Sequence, residues 1–242
     1  MIRRTRPREW ILAGTGVLAA AILLLGVAFD SPRSRLIAKP IPALCLAAWV
    51  GGSGRGRSAR WFAVGLLLSA AGDGLLEYSP ASFLAGLVAF LGAHLAYVTG
   101  FLIETRRPAL LRAAPFALWA VLGYLAMRPG LGSLAGPVVV YLTAICAMMW
   151  RAAAGVGHDG PPRAHEWMAL GGAVLFGASD TLIGLDRFHA PLEAARVLII
   201  VLYWLGQLGI AAAAVFSVAT PRTPQNSREH GQPATISGNL QP

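Results

Sequence analysis

The chain has 242 residues, of which 56% are hydrophobic and only 13% charged, and its formal net charge is +9. A soluble globular domain carries about 25% charged residues, so the composition points away from one and toward a polytopic, all-α membrane protein. At about 20 residues per span, the length allows seven or eight transmembrane helices in one membrane domain and leaves no room for a second folded domain.

Residues 1–9 form a basic flank, MIRRTRPRE, and the apolar run over 10–29 predicts the first helix, an uncleaved start too long for a signal-peptide core. A shorter second helix is predicted to begin near Lys39, with Pro40 and Pro42 in its first turn, and to run to residue 50. After the glycine- and arginine-rich loop GGSGRGRSAR come a third helix over 61–76 and a fourth over 82–103. The fifth, over 110–127, is expected to end where Arg128, Pro129 and Gly130 break it, and the sixth covers 134–154. The seventh and eighth cover 166–185 and 192–218. The single transmembrane domain of about eight helices thus occupies 10–219, and the polar tail 220–242, rich in Pro, Gln, Asn and Ser, is expected to be disordered.

The arginines lie mostly between the apolar runs, where topology explains them better than nucleic-acid binding does. In an eight-helix layout fourteen of the 20 lysines and arginines fall on the side of the termini and six on the other, which predicts an integral plasma-membrane protein with both termini cytoplasmic. Cys45 and Cys146 sit inside apolar runs without metal-ligand spacing and read as packing residues.

Two runs otherwise suited to lipid carry an acid: SAAGDGLLEY with Asp73, and GGAVLFGASDTLIGLDRF with Asp180. A carboxylate near mid-bilayer costs ~3 kcal/mol on insertion scales, so an intramembrane acid is a functional hypothesis by default. At 1.5 Å per residue, Asp73 and Asp180 fall in the outer parts of their helices and Glu77 one turn beyond Asp73 on the same face. His94 and Tyr97 lie just past mid-depth on the fourth helix, Tyr203 and Gln207 near mid-depth on the eighth, and Lys39 at the outer start of the second. If these faces converge, they form a polar pocket opening toward the outer leaflet. Each also has a plainer role: Lys39 as a snorkelling boundary residue, Glu77 as an interfacial helix end, and His94, Tyr97, Tyr203 and Gln207 as interhelical hydrogen-bond partners. The chain contains no GxSxG, HExxH, P-loop or CxxC motif, and Ser69 and Ser179 have no histidine near them in sequence.

Taken in order, AKPIPAL, SAAGDGLL, LGAHLAYVTGF, GAVLFGASDTLIGLDRF and YWLGQLGI resemble the YhhN-like lysoplasmalogenase family of polytopic membrane proteins, over roughly residues 36–216. The resemblance implies hydrolysis of the vinyl ether bond of lysoplasmalogens to a fatty aldehyde and a glycerophospho-head group. The residue types suit that chemistry. Protonation of the vinyl ether's β-carbon forms an oxocarbenium ion that water traps, so one acid must give a proton and one charge must stabilise the cation, as paired carboxylates do in glycoside hydrolysis. Asp73 and Asp180 are the expected pair in either order, with His94, oriented by Tyr97, handling water. Lys39 is expected to hold the lipid phosphate, and Tyr97, Tyr203 and Gln207 to contact substrate. The mechanism requires no metal and no cofactor; its partners are the lysophospholipid and the bilayer, with no nucleic acid and no oligomeric state implied. The alternative is a small-molecule or lipid transporter in which the same acids form a proton relay, and a third reading makes the polar residues structural only.

Overall fold

The computed structural model describes residues 6–158, 160, 162–192 and 195–217; the tail over 220–242, expected to be disordered, lies outside them. Among the described residues there are no strands. The helices are α1 (Pro7–Ala28), α2 (Pro32–Ala38), α3 (Ile41–Ser53), α4 (Gly56–Tyr78), α5 (Phe83–Glu104), α6 (Ala114–Leu131), α7 (Ala135–Gly155), α8 (Ala164–Phe188) and α9 (Ala195–Phe216). In lipid every backbone N–H and C=O must be satisfied within the segment, which is why apolar runs of this length become helices.

Seven stretches are long and apolar enough to cross a membrane, and one of them, Leu110–Gly155, has 46 residues, about twice a span. It folds back on itself. The Cys146 thiol donates to Phe116 O at 3.0 Å and Trp150 Nε1 to Ala109 O at 3.1 Å, so α6 and α7 run antiparallel around a turn at Gly132, whose φ of +50° suits glycine. Divided at that turn, the described residues offer eight lengths of helix for crossing a membrane, in line with the expected count of about eight. Large apolar side chains cover the outside, among them Leu18, Val88, Leu95, Leu118, Leu122 and Leu205. In water such a surface would be an aggregation hazard; against acyl chains it is the expected exterior. The protein is an integral membrane protein.

Two helix boundaries differ from the sequence expectation. The second span starts at Pro32, seven residues before Lys39, and is broken in the middle at Lys39–Pro40. Pro40 and Pro42 have no N–H to give to the carbonyls of Leu36 and Ala38, so the helix cannot continue through them unbroken and Lys39 sits at the interruption. The fifth helix does not end at Arg128: α6 continues through Pro129 and Gly130 to Leu131. Pro129 forfeits a single bond in the last turn, and Gly130 serves close packing, since a Cβ there would collide with the carbonyl of Phe188.

The tightest packing joins α4 to α5 and α8 to α9 through small residues. A Cβ on Gly172 would lie 2.7 Å from both Gly206 O and Ile210 N, so the backbones of α8 and α9 touch. Gly65 likewise leaves space for the ring of Tyr97. These contacts fix the rotation of α4, α5, α8 and α9 and so decide which side chains face the interior.

Candidate active site

The buried polar side chains gather inside the bundle. Ser69, Asp73, His94, Ser179, Asp180 and Gln207 are all buried, while Thr105 and Arg151 form a separate buried polar pair bonded to each other at the ends of α5 and α7. Buried polar groups must find partners, and here the partners come from distant helices.

Asp73 of α4 accepts a hydrogen bond from the Tyr203 hydroxyl of α9 at 2.6 Å. One turn along α9, Gln207 Nε2 donates to Ser69 Oγ at 2.9 Å, and Gln207 Oε1 accepts from the Tyr97 hydroxyl of α5 at 2.6 Å. A continuous polar strip thus joins α4, α9 and α5. Tyr97 does not orient His94, contrary to expectation: its hydroxyl reaches across to α9 and leaves the histidine to other partners.

Asp180 of α8 is the centre of a second group. Its Oδ2 accepts from the Tyr141 hydroxyl of α7 at 2.5 Å and lies 3.4 Å from His94 Nε2. The His94 Nδ1 is 2.7 Å from the carbonyl of Phe90 on its own helix. A carbonyl only accepts, so Nδ1 carries a proton, and the neutral ring presents a bare lone pair at Nε2. That Nε2 is buried, and among the described residues it has no hydrogen-bond partner. Two acceptors face one another unless one proton resides on the His94–Asp180 pair.

Phe176 separates and supports the two groups. Its ring stacks on His94 at 4.7 Å between centroids and meets Tyr203 edge-on at 5.6 Å and Tyr97 at 6.1 Å. Fully buried, it locks the rings of His94, Tyr203 and Tyr97 in one packed cluster.

Two cavities open onto these groups. One of about 480 Å³ lies between α1, α3 and α9, is lined almost wholly by apolar side chains, and is bordered by Tyr203 and Gln207. The other, about 50 Å³, lies between α5, α6, α7 and α8 and is bordered by Asp180, Tyr141 and Thr181. It is large enough for a water or two.

Lys39 stands at the break in the second span, in an ion-paired group apart from the hydrogen bonds of Asp73 and Asp180. Its Nζ pairs with Glu77 at 3.0 Å, one turn along α4 from Asp73, and Arg35 bridges Glu77 at 3.3 Å and Asp30 at 2.7 Å. Glu77 is therefore held in an ion-pair cluster, beyond a plain helix-end role. Among the described residues no three His, Cys, Asp or Glu side chains are placed to hold a metal ion.

Four participants were not anticipated from sequence: Tyr141, Ser69, Phe176 and Arg35. Tyr141 carried the most legible signal, because a tyrosine at mid-span, away from the interfacial belts, needs a partner for its hydroxyl.

The chain matches the YhhN family model over residues 34–214. It is 34% identical over 189 residues to the lysoplasmalogenase TMEM86B of Homo sapiens, covering 77% of each chain. It is 34% identical over 230 residues to a lysoplasmalogenase of Mycobacterium tuberculosis, covering 88% of this chain and 85% of the relative. A lysoplasmalogenase TMEM86A of Bos taurus is 35% identical over 188 residues, covering 74% of this chain and 77% of the relative. No solved structure matches the chain.

Proposed function

The chain belongs to the YhhN family, and from that membership and the geometry of the buried acids we propose that it is a membrane-embedded hydrolase that cleaves the vinyl ether bond of lysoplasmalogens. The observation that carries the reading is the Tyr203–Asp73 hydrogen bond at the edge of an apolar chamber. In this reading Tyr203, on the chamber wall, holds the Asp73 carboxyl group just behind it, where a lipid chain would meet its polar end.

In this reading the substrate lies with its phosphate at the mouth, received by Lys39 and Arg35 in exchange for part of their pairing with Glu77. The vinyl ether carbons come level with Asp73 and the chain continues into the chamber. Asp73 gives its proton to the β-carbon, and the C=C π electrons form the new C–H bond. The resulting oxocarbenium ion is stabilised by negative charge in the Asp180 group. Water from the small cavity adds to the α-carbon and loses a proton to the His94–Asp180 pair. The hemiacetal then collapses: its hydroxyl proton passes to the Asp73 carboxylate, the C–O bond to glycerol breaks, and the His94–Asp180 pair returns its proton to the glycerol oxygen as aldehyde departs, which restores both groups. Overall, one water is consumed and one aldehyde and one glycerophospho-alcohol are formed. Tyr203 and Tyr141 orient the two carboxyl groups, and Tyr97 with Gln207 hold the α9 face on which Tyr203 stands.

The positive-inside count favours both termini in the cytoplasm of the plasma membrane, so the mouth formed by Lys39 and Glu77 faces the outer leaflet. The test is release of fatty aldehyde from a lysoplasmalogen by detergent-purified protein, beside an ester-linked lysophospholipid and the variants Asp73→Asn and Asp180→Asn. Aldehyde from the vinyl ether alone, lost in both variants, supports the mechanism. Full activity in either variant refutes it, and proton-coupled solute uptake into proteoliposomes without aldehyde release would replace it with the transporter reading.

A further inference from the structure

The acid chemistry accounts for the polar strip but gives no task to the length of the apolar chamber or to α1. We propose that the chamber holds the hydrocarbon chain of a single-chain lipid and that α1 sets the chain length accepted; this rests on the vinyl ether reading above. Tyr203 borders the chamber at the reactive end, and Glu9, Trp10 and Trp49 border it at the other. Along α1 the lining runs from Ala20 to Glu9. Eleven residues at 1.5 Å each make about 17 Å of depth. A fully extended chain advances roughly 1.2 Å per bond, a third of the peptide repeat, so about fourteen bonds fit along α1 between the levels of Ala20 and Glu9. The volume of about 480 Å³ lies within the usual range for sites that enclose a small ligand.

The construction of α1 fits a measuring wall. Its ends are fastened: Ser53 Oγ donates to Glu9 Oε1 at 3.0 Å near the floor, and Leu23 packs with Ala38 and Ile200 beyond the top. On the chamber side its middle stands off from the bundle, for a Cβ on the lining residue Gly16 would meet only Cys45, at 3.8 Å. The gap between fastened ends is the chamber. α1 also lies outside residues 34–214, the part matched by the family model, so the acids and the wall that measures the chain belong to different parts of the sequence.

Two substitutions test this by depth. Gly16→Leu fills the chamber four residues below Ala20, leaving room for about five bonds, and Leu12→Trp fills it eight residues below, leaving about ten. The expected result is graded. Gly16→Leu lowers kcat/KM for long-chain substrates about tenfold or more while a hexenyl substrate is turned over within about threefold of wild type, and Leu12→Trp moves the optimum to an intermediate length. Retained short-chain turnover shows that both variants fold. Binding is read separately with ester-linked lysophosphatidylcholines brominated at the chain terminus, which quench Trp49 fluorescence in wild type and lose that component in Trp49→Phe. Equal losses at every chain length in both variants, or terminal bromines that leave Trp49 unquenched, overturn the proposal. If wild type releases no aldehyde at any chain length, the vinyl ether reading has failed, and the quenching result alone upholds or overturns the chamber.

Discussion

His94 Nε2 faces Asp180 Oδ2 at 3.4 Å, while the other ring nitrogen is committed to the carbonyl of Phe90. The ring cannot turn to another tautomer without opposing two acceptors at Nδ1, so the His94–Asp180 pair acts as one proton-holding unit. Asp180→Asn, which puts an amide where that proton is held, should lower kcat by about 10²–10⁴, the range for loss of general acid–base catalysis. Aldehyde release at saturating substrate checks it, with thermal unfolding in detergent as the control for folding.

Tyr203 and Tyr141 each give one carboxyl group a hydroxyl donor. Tyr203→Phe and Tyr141→Phe should each cost about 1–3 kcal/mol of stability, because a buried acceptor loses its partner. Activity should fall further than stability explains, about 10- to 100-fold in kcat, since a carboxyl group free to rotate loses its aim. Comparing kcat with the unfolding midpoint of each variant separates the two effects.

Lys39 is ion-paired at the break in the second span and is not part of the acid groups. Lys39→Ala should therefore raise KM for a phosphate-bearing substrate about tenfold, in line with the loss of a charge-assisted contact, and leave kcat within about threefold. A fall in kcat with unchanged KM would place Lys39 in the chemistry instead. Steady-state kinetics in mixed micelles decides between them.

Gly172 and Gly14 make opposite predictions about packing. Gly172→Val drives a side chain into the backbone of α9 and should cost about 3 kcal/mol or more, with loss of folded yield. Gly14→Ala enters open space in a helix and should raise stability by about 0.5–1 kcal/mol. Thermal unfolding of both variants in the same detergent measures the contrast.

Much of this protein could be read along one dimension. The runs of apolar residues located the spans, because a bilayer admits only segments long enough to satisfy their own backbone, and Asp73, Asp180 and His94 stood out because ionisable groups in such runs are costly. The same reading misjudged Lys39 as the start of a helix and Pro129 as the end of one, since proline marks a missing hydrogen bond but not whether neighbouring helices compensate for it.

Pairing was a different matter. Asp73 and Tyr203 are 130 positions apart and Asp180 and Tyr141 are 39 apart, and which tyrosine reaches which acid depends on how each helix is rotated about its axis. That rotation follows from contacts such as Gly172 against the α9 backbone and Gly65 beneath Tyr97, where the absence of a side chain lets two helices approach at one angle. Hydropathy averages over a helix's circumference and is blind to this rotation. The membrane class and the acids were therefore legible in the chain, whereas the two separate polar groups, the aromatic cluster around Phe176 and the chamber beside α1 arose only when the helices packed.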